Sequence, residues 1–333
     1  MYFFVGICLV FAFLLTLNML ASLSASVVWR VVSKRAKSLS FRRQEQIIFS
    51  LRAFPVAAAV IFVLGFVIPG YILFEPHSTD EVVTVKLGLV AFISFIGIAI
   101  ALFRVSRSWL ATRRLAANWL KHSERIAVDN VTIPVFRISH PFPVIAVVGM
   151  LRPRLFVASQ IFDSLSEDEF RAAIAHEYGH LTARDNFKRA FLRVCRDMLV
   201  FPLGRELDRA WTDNTESAAD EFAANVGGNS MALDLAEALI KIARIAPANT
   251  GAAMPAGSFL IDARQNNLRQ RVRRLLKLSE DKAVMPNASL LRSRDSIWLY
   301  SGLVVVLVLS LASNKELLFA IHNVSENVVA ILQ

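Results

Sequence analysis

The sequence predicts an α-helical multi-pass membrane protein with four spans and a cytoplasmic α+β domain placed between the third span and the fourth. Three observations lead there. Apolar residues make up 55% of the 333 and charged residues only 19%, against about 45–50% and about 25% in ordinary soluble domains. The excess is gathered into long runs instead of being spread along the chain. Basic residues collect at alternating ends of those runs, as the positive-inside rule expects of membrane helices.

The elements follow in order. Tyr2 to Trp29 is apolar apart from Gly, Thr, Ser and Asn18, long enough to cross a hydrocarbon core of about 30 Å. It exceeds the roughly 7–15-residue core of a signal peptide. Arg30, Lys34, Arg35, Lys37, Arg42 and Arg43 come after it, which places the amino terminus outside and residues 30–52 in a basic cytoplasmic loop. Ala53 to Phe74 is the second span, interrupted by Pro55, Gly65, Pro69 and Gly70, and the acidic turn from Glu75 to Glu81 fits the outer side. Val82 to Phe103 is the third, with Lys86 near enough to its outer end to snorkel. Arg104, Arg107, Arg113 and Arg114 return the chain to the inside. Ile297 to Ala312 is the expected fourth span, with Trp298 and Tyr300 as interfacial anchors. The domains are therefore residues 1–103 (three spans), 104–296 (cytoplasmic domain), 297–312 (fourth span) and 313–333 (a short extracytoplasmic tail). In that tail Leu317, Leu318, Ile321, Val324, Val328, Val329 and Leu332 outline an amphipathic or docking helix.

The formal charge of +10 is accounted for by the inner-face basic residues. With no zinc-finger spacing and no aromatic-interleaved basic sheet, it does not point to nucleic acid. Cys8 and Cys195 are too few for a disulfide scaffold or a four-cysteine metal site. No charged residue lies deep in a predicted span, which argues against a transporter.

Within residues 104–296, Ser108 to Ile126 reads as a helix continuing inward from the third span. Three β-rich stretches follow, Val131–Ile138, Val144–Val148 and Arg154–Ala158, separated by turn sequences. A small antiparallel sheet is expected from them. The extended stretch Val144, Ile145, Ala146, Val147, Val148 and Gly149, just before the next helix, is a candidate edge strand on which a peptide could be added.

The chemistry starts at Ser166, which can cap a helix with Glu169 reaching back. That helix carries His176-Glu177-Tyr178-Gly179-His180. Residues four apart share a helix face, so His176 and His180 can both reach one Zn2+ ion. Glu177, displaced from the ligand pair, can take the proton of an attacking water. A catalytic zinc normally has a third protein ligand. A later helical stretch, Asp208 to Val226, ends at Gly227-Gly228 and contains Glu216-Ser217-Ala218-Ala219-Asp220. Glu216 is the expected third ligand, the small residues let the two helices approach, and Asp220 can fix a histidine ring through its other nitrogen. Asp185 is a further candidate for that orienting role. His77, His122, His140 and His322 are read as structural or solvated. For the oxyanion donor, Tyr178, Arg264, Arg271 and Arg273 remain open.

With Ala175-His176-Glu177-Tyr178-Gly179-His180-Leu181, then Arg184-Asp185-Asn186, then Glu216-Ser217-Ala218-Ala219-Asp220-Glu221, the chain resembles the gluzincin membrane metallopeptidases, and by its spacing the BlaR/MecR type. Val148 to Val157, Arg271 to Leu276 and the order of spans resemble that group too, over about residues 1–312. The resemblance implies a zincin-like metallopeptidase domain holding one catalytic Zn2+. It departs from the pattern after the last span: residues 313–333 are too short for an extracellular penicillin-binding sensor domain, and they carry no Ser-x-x-Lys motif.

The expected function is an integral-membrane zinc endopeptidase of a bacterial inner membrane. It would hydrolyse peptide bonds in a cytoplasmic or membrane-associated protein, as repressor cleavage or self-cleavage, with Lys277 to Ser296 as a possible internal site. Its partners would be a protein or peptide substrate, the lipid bilayer and a separate sensor or regulator protein. Membrane-protein quality control and a non-catalytic zinc scaffold are the alternatives.

Overall fold

Residues 2–76, 83–128, 131–150, 152–199, 204–246, 265–280, 307 and 309–332 are described by a computed structural model. Three helical rods are long and apolar enough to span a membrane: α1 (Tyr2–Ala36), the rod Phe41–Phe74, and α4 (Val85–Lys121). Phe3, Leu20, Phe54, Leu64, Phe92 and Phe103 point outward from them, the apolar exterior that a bilayer requires. The expected fourth span lies largely outside the described residues.

The second rod comprises α2 (Phe41–Phe62), a π-helical turn (Val63–Val67) and α3 (Ile68–Phe74). Pro69 has no amide to donate and its ring crowds the carbonyl four residues back, at Gly65; the wider π turn just before it absorbs both demands. The rod starts earlier than the sequence suggested. Phe41 to Arg52, expected inside a basic loop, is helical, and Glu45 and Arg52 on it are buried. The reason is tertiary: Arg52 Nε donates to Asp208 Oδ1 at 2.8 Å and Glu45 meets Lys188 and Trp211, so these charges face the extramembrane domain instead of water.

The sheet also differs from expectation. It has four strands in the order β1-β2-β4-β3, namely β1 (Ser123–Ile126), β2 (Val135–Ile138), β3 (Ile145–Val148) and β4 (Arg154–Ala158). β2 and β4 are parallel, while β1–β2 and β3–β4 are antiparallel, so it is a mixed sheet. β1 falls at the end of the stretch expected to remain helical: α4 stops at Lys121. β3 is an edge strand, as expected, and Val144 to Val148 are all buried.

After β4 come α5 (Ser159–Ser164), α6 (Glu167–Ala183), α7 (Asp185–Asp197), α8 (Arg205–Ile245) and α9 (Gln265–Glu280). The Ser166–Glu169 capping box is formed, with both reciprocal hydrogen bonds. α8 does not end at Gly227-Gly228. It breaks at Gly228 (φ 76°, ψ −159°), a conformation glycine adopts freely, and then resumes. Phe156, Ile161, Ala172, Leu235, Leu239 and Leu275 are among the residues of the core joining the sheet, α6, α8 and α9. Finally α10 (Lys315–Leu332) lays Leu318, His322, Ser325 and Val329 against α3 and the amino-terminal part of α1. The amphipathic reading of the tail is thus a helix seated on the bundle, at the end away from the extramembrane domain.

Candidate metal centre

Two helices make the site. α6 presents His176 and His180 on one face, and α8 crosses it with Glu216 and Asp220 on the facing side. The crossing is close because it is made by small residues: a Cβ on Gly179 would stand 3.2 Å from Ala219 Cα, tighter than van der Waals contact allows. Leaving out side chains here brings the ligands together.

His176, His180 and Glu216 are buried and their ligand atoms converge. The two Nε2 atoms are 3.2 Å apart. His176 Nε2 is 3.6 Å from Glu216 Oε2, and His180 Nε2 is 3.7 Å from Glu216 Oε1. Ligands at about 2.0–2.1 Å from a tetrahedral zinc stand about 3.3 Å from one another, so the two imidazole nitrogens and the Glu216 carboxylate fit that ion. Each imidazole is oriented by its other nitrogen. His176 Nδ1 lies 3.0 Å from Asp220 Oδ1, and His180 Nδ1 lies 2.8 Å from Asp185 Oδ2. Carboxylates at Nδ1 fix the tautomer and leave Nε2 lone pairs for a metal. Asp185 reaches back because Arg184, between α6 and α7, takes the left-handed conformation (φ 55°), uncommon for a side-chain-bearing residue.

The electrostatics also ask for a cation. Glu177, Asp185, Glu216 and Asp220 are all buried. Burial opposes charge on Glu216, but His180, His176 and Arg271 overcome it and hold its carboxyl well below the usual range. Burial likewise disfavours a charged His180, yet Glu216 and Asp185 override it and lift the imidazole to about 10. A site that so favours positive charge between these groups suits a divalent ion.

Glu177 stands apart from the ligands, as its position in the motif requires. Its Oε2 accepts from the Val147 amide at 3.3 Å, and its Oε1 is buried with no hydrogen-bond partner. Burial pushes its carboxyl up to about 7, against the pull of His180 and His176. A group of that proton affinity both accepts and returns a proton near neutral pH.

Of the oxyanion candidates, Arg271 on α9 is the one held inside the site. It clasps Asp220 with Nε to Oδ2 at 3.0 Å and Nη2 to Oδ1 at 2.7 Å. Its Nη1 is 3.3 Å from Glu216 Oε2, in ion-pair range, although that oxygen accepts no hydrogen bond. Such a bidentate clasp makes Arg271 a positioning residue for Asp220 and Glu216. Tyr178 shares a 3.3 Å contact with the Thr132 hydroxyl, and Arg273 is exposed. Arg264 lies outside the described residues.

One group escaped the sequence reading altogether. Glu45, fully buried on α2, accepts from Lys188 Nζ at 2.9 Å, Trp211 Nε1 at 3.0 Å and Arg42 Nη1 at 3.0 Å. Lys188 and Arg42 each also lie 3.9 Å from Asp185 Oδ1. A membrane rod therefore touches the carboxylate that orients a metal ligand. The only local signal was a lone acidic residue in a basic run.

Residues 138–302 match the model of peptidase family M48, and no curated protein matches the chain. The matched stretch holds His176, Glu177, His180, Asp185, Glu216, Asp220 and Arg271, but not Glu45 or Arg42. The chain is a zinc metalloendopeptidase. One catalytic Zn2+ is its cofactor, and His176, His180 and Glu216 form a group that could hold it. The match supports the broad group of zinc metallopeptidases to which M48 belongs, and not the BlaR/MecR type in particular. The peptidase domain sits outside the membrane while the three rods cross it.

Proposed function

We propose that this peptidase cleaves a cytoplasmic or membrane-associated protein as a regulatory step, and that its membrane helices set the state of its zinc site. The observation that carries this reading is the rod Phe41–Phe74, which spans the bilayer and ends in a buried carboxylate touching Lys188, Trp211 and Arg42 beside Asp185. A quality-control protease could be anchored by any helix; here the anchor is wired to the site. The basic residues at the peptidase end of the rods favour a cytoplasmic domain in a bacterial inner membrane. Of the possible self-cleavage region, the part from 281 onward lies outside the described residues.

Held by His176, His180 and Glu216, a zinc ion would supply Lewis acidity toward the scissile carbonyl and the attacking water. Glu177 takes that water's proton and hands it to the leaving amine. Asp220 and Asp185 keep the two imidazoles in register throughout, and Arg271 keeps Asp220 and Glu216 in place. Water access is restricted by burial of all these groups.

The substrate would lie along the outer edge of β3. Ala158 N donates to Val144 O at 2.8 Å, so in this antiparallel pair Val144, Ala146 and Val148 turn their backbone groups to β4 while Ile145 and Val147 turn theirs outward. Val147 is already engaged, its amide by Glu177 and its carbonyl by Asn186 Nδ2 at 2.9 Å. Ile145 and Gly149 on either side are the positions left for a substrate strand. Proline at Ala146 would break the sheet itself, whereas Ile145→Pro deletes one outward amide and keeps the bonds to β4. Ile145→Pro is expected to raise KM about tenfold toward an unstructured peptide, with zinc content unchanged. An unchanged KM would dismiss this placement.

The regulatory reading is tested by comparing cleaved cellular proteins between the wild type and Glu177→Gln. One or a few products, lost in the variant, are expected. A broad set of misfolded membrane proteins would instead assign quality control.

A further inference from the structure

We propose that Glu75, His322 and Glu326 form a second divalent transition-metal site at the end of the bundle remote from the peptidase domain. It is independent of the regulatory reading above. Glu75 ends the rod Phe41–Phe74, and His322 and Glu326, four apart, share one face of α10. One imidazole nitrogen and one oxygen from each carboxylate converge, all within 4.8 Å of one another. His322 Nε2 is 3.7 Å from Glu75 Oε2, close to the roughly 3.3 Å between ligands of a tetrahedral zinc.

The second observation concerns His322 itself. It is nine-tenths buried, held against the Phe74 ring at 6.0 Å between centroids, and its Nε2 faces Glu75 Oε2 at 3.7 Å. That separation is too long for a hydrogen bond, and an ion held between the two groups would offset the desolvation cost of burying them. Gly70 explains how the groups meet. A Cβ there would stand 3.3 Å from the Leu318 carbonyl oxygen and 3.8 Å from His322 Cβ, so the missing side chain lets α10 settle on α3. An imidazole with two carboxylates suits Zn2+ or Mn2+, the carboxylates neutralising the ion. Thirty residues of helix separate Glu75 from Glu45, about 45 Å at 1.5 Å per residue. The two metal sites are therefore separate, and the outer one would clamp α10 to the rod whose inner end braces the catalytic zinc.

The test is zinc bound per full-length chain in nanodiscs, equilibrated with buffered Zn2+ and measured by elemental mass spectrometry. The wild type is expected to bind two ions, Glu216→Gln one, His322→Gln one, and the double variant none. A wild type that binds a single ion, lost with Glu216→Gln, would overturn the outer site and leave the peptidase intact. A single ion lost with His322→Gln alone would count against the catalytic centre and leave the outer site standing. Should His322→Gln fail to fold, Glu326→Gln takes its place. Thermal unfolding adds a readout that does not depend on activity. In the Glu216→Gln background Zn2+ should raise Tm by several degrees, and that rise should vanish on adding His322→Gln or Glu326→Gln. An equal rise in the doubly substituted chain would overturn the proposal.

Discussion

Glu177→Gln is expected to lower peptide-bond hydrolysis about a thousandfold while zinc content stays at the wild-type level. The two effects separate because the residue's roles separate. Glu177 contributes no ligand atom: His176, His180 and Glu216 supply the converging set. Its neighbours show where it acts instead. One oxygen accepts the Val147 amide of the edge strand, and the other is buried without a hydrogen-bond partner, directed to where a water and a scissile bond would sit. An amide in its place can still accept from Val147, so the fold should survive. It cannot take a proton, and positioned general-base catalysis contributes about 10²–10⁴-fold. The buried amide N–H₂ would lack a partner, costing about 1 kcal/mol of stability. The measurement is kcat/KM on an unstructured peptide, beside zinc per chain. Full proteolysis in the variant would mean that some other group serves as the base. Loss of zinc would mean that Glu177 holds the ion indirectly.

How much of this was legible beforehand follows the range of the interactions. His176, Glu177 and His180 declare themselves because one helical turn sets their geometry. The capping box at Ser166 and Glu169 is equally local. Glu216 and Asp220 lie far along the chain, but their four-residue spacing and the small residues between them reproduce the facing half of the site. Asp185 was readable as a candidate; the left-handed Arg184 that delivers it was not. The sheet was read from three apolar stretches, and β1 was missed because Ser123 to Ile126 alternates too little to separate it from the helix before it. The largest misreading was residues 41–52. Arg42, Arg43, Glu45 and Arg52 look like a solvated basic loop in any local window. Glu45 and Arg52 are nonetheless buried, through Lys188, Asp208 and Trp211, more than 140 residues later, and Phe41 beside them carries the Arg274 guanidinium 4.3 Å over its ring. Pairing at that separation leaves no periodic trace.

Those same contacts set the second large expectation. Glu45→Ala should destabilise the chain by about 3 kcal/mol, because removing one partner of a buried ion pair strands the others. For a unit of this size that is a fall in Tm of roughly 6–12 °C. Lys188 Nζ and Trp211 Nε1 lose their acceptor. Lys188 and Arg42 are already 3.9 Å from Asp185 Oδ1, so both cations should turn to that carboxylate and compete with His180 for it. Weakening an orienting carboxylate of this kind typically lowers metal affinity about 10–100-fold. Zinc affinity by chelator competition should fall by that factor, and excess zinc should restore activity below the new Tm. Glu45→Asp, which keeps the charge, should recover part of both losses. A merely structural Glu45 would lower Tm and leave zinc affinity unmoved, and that result would cut the link between the membrane rod and the catalytic centre.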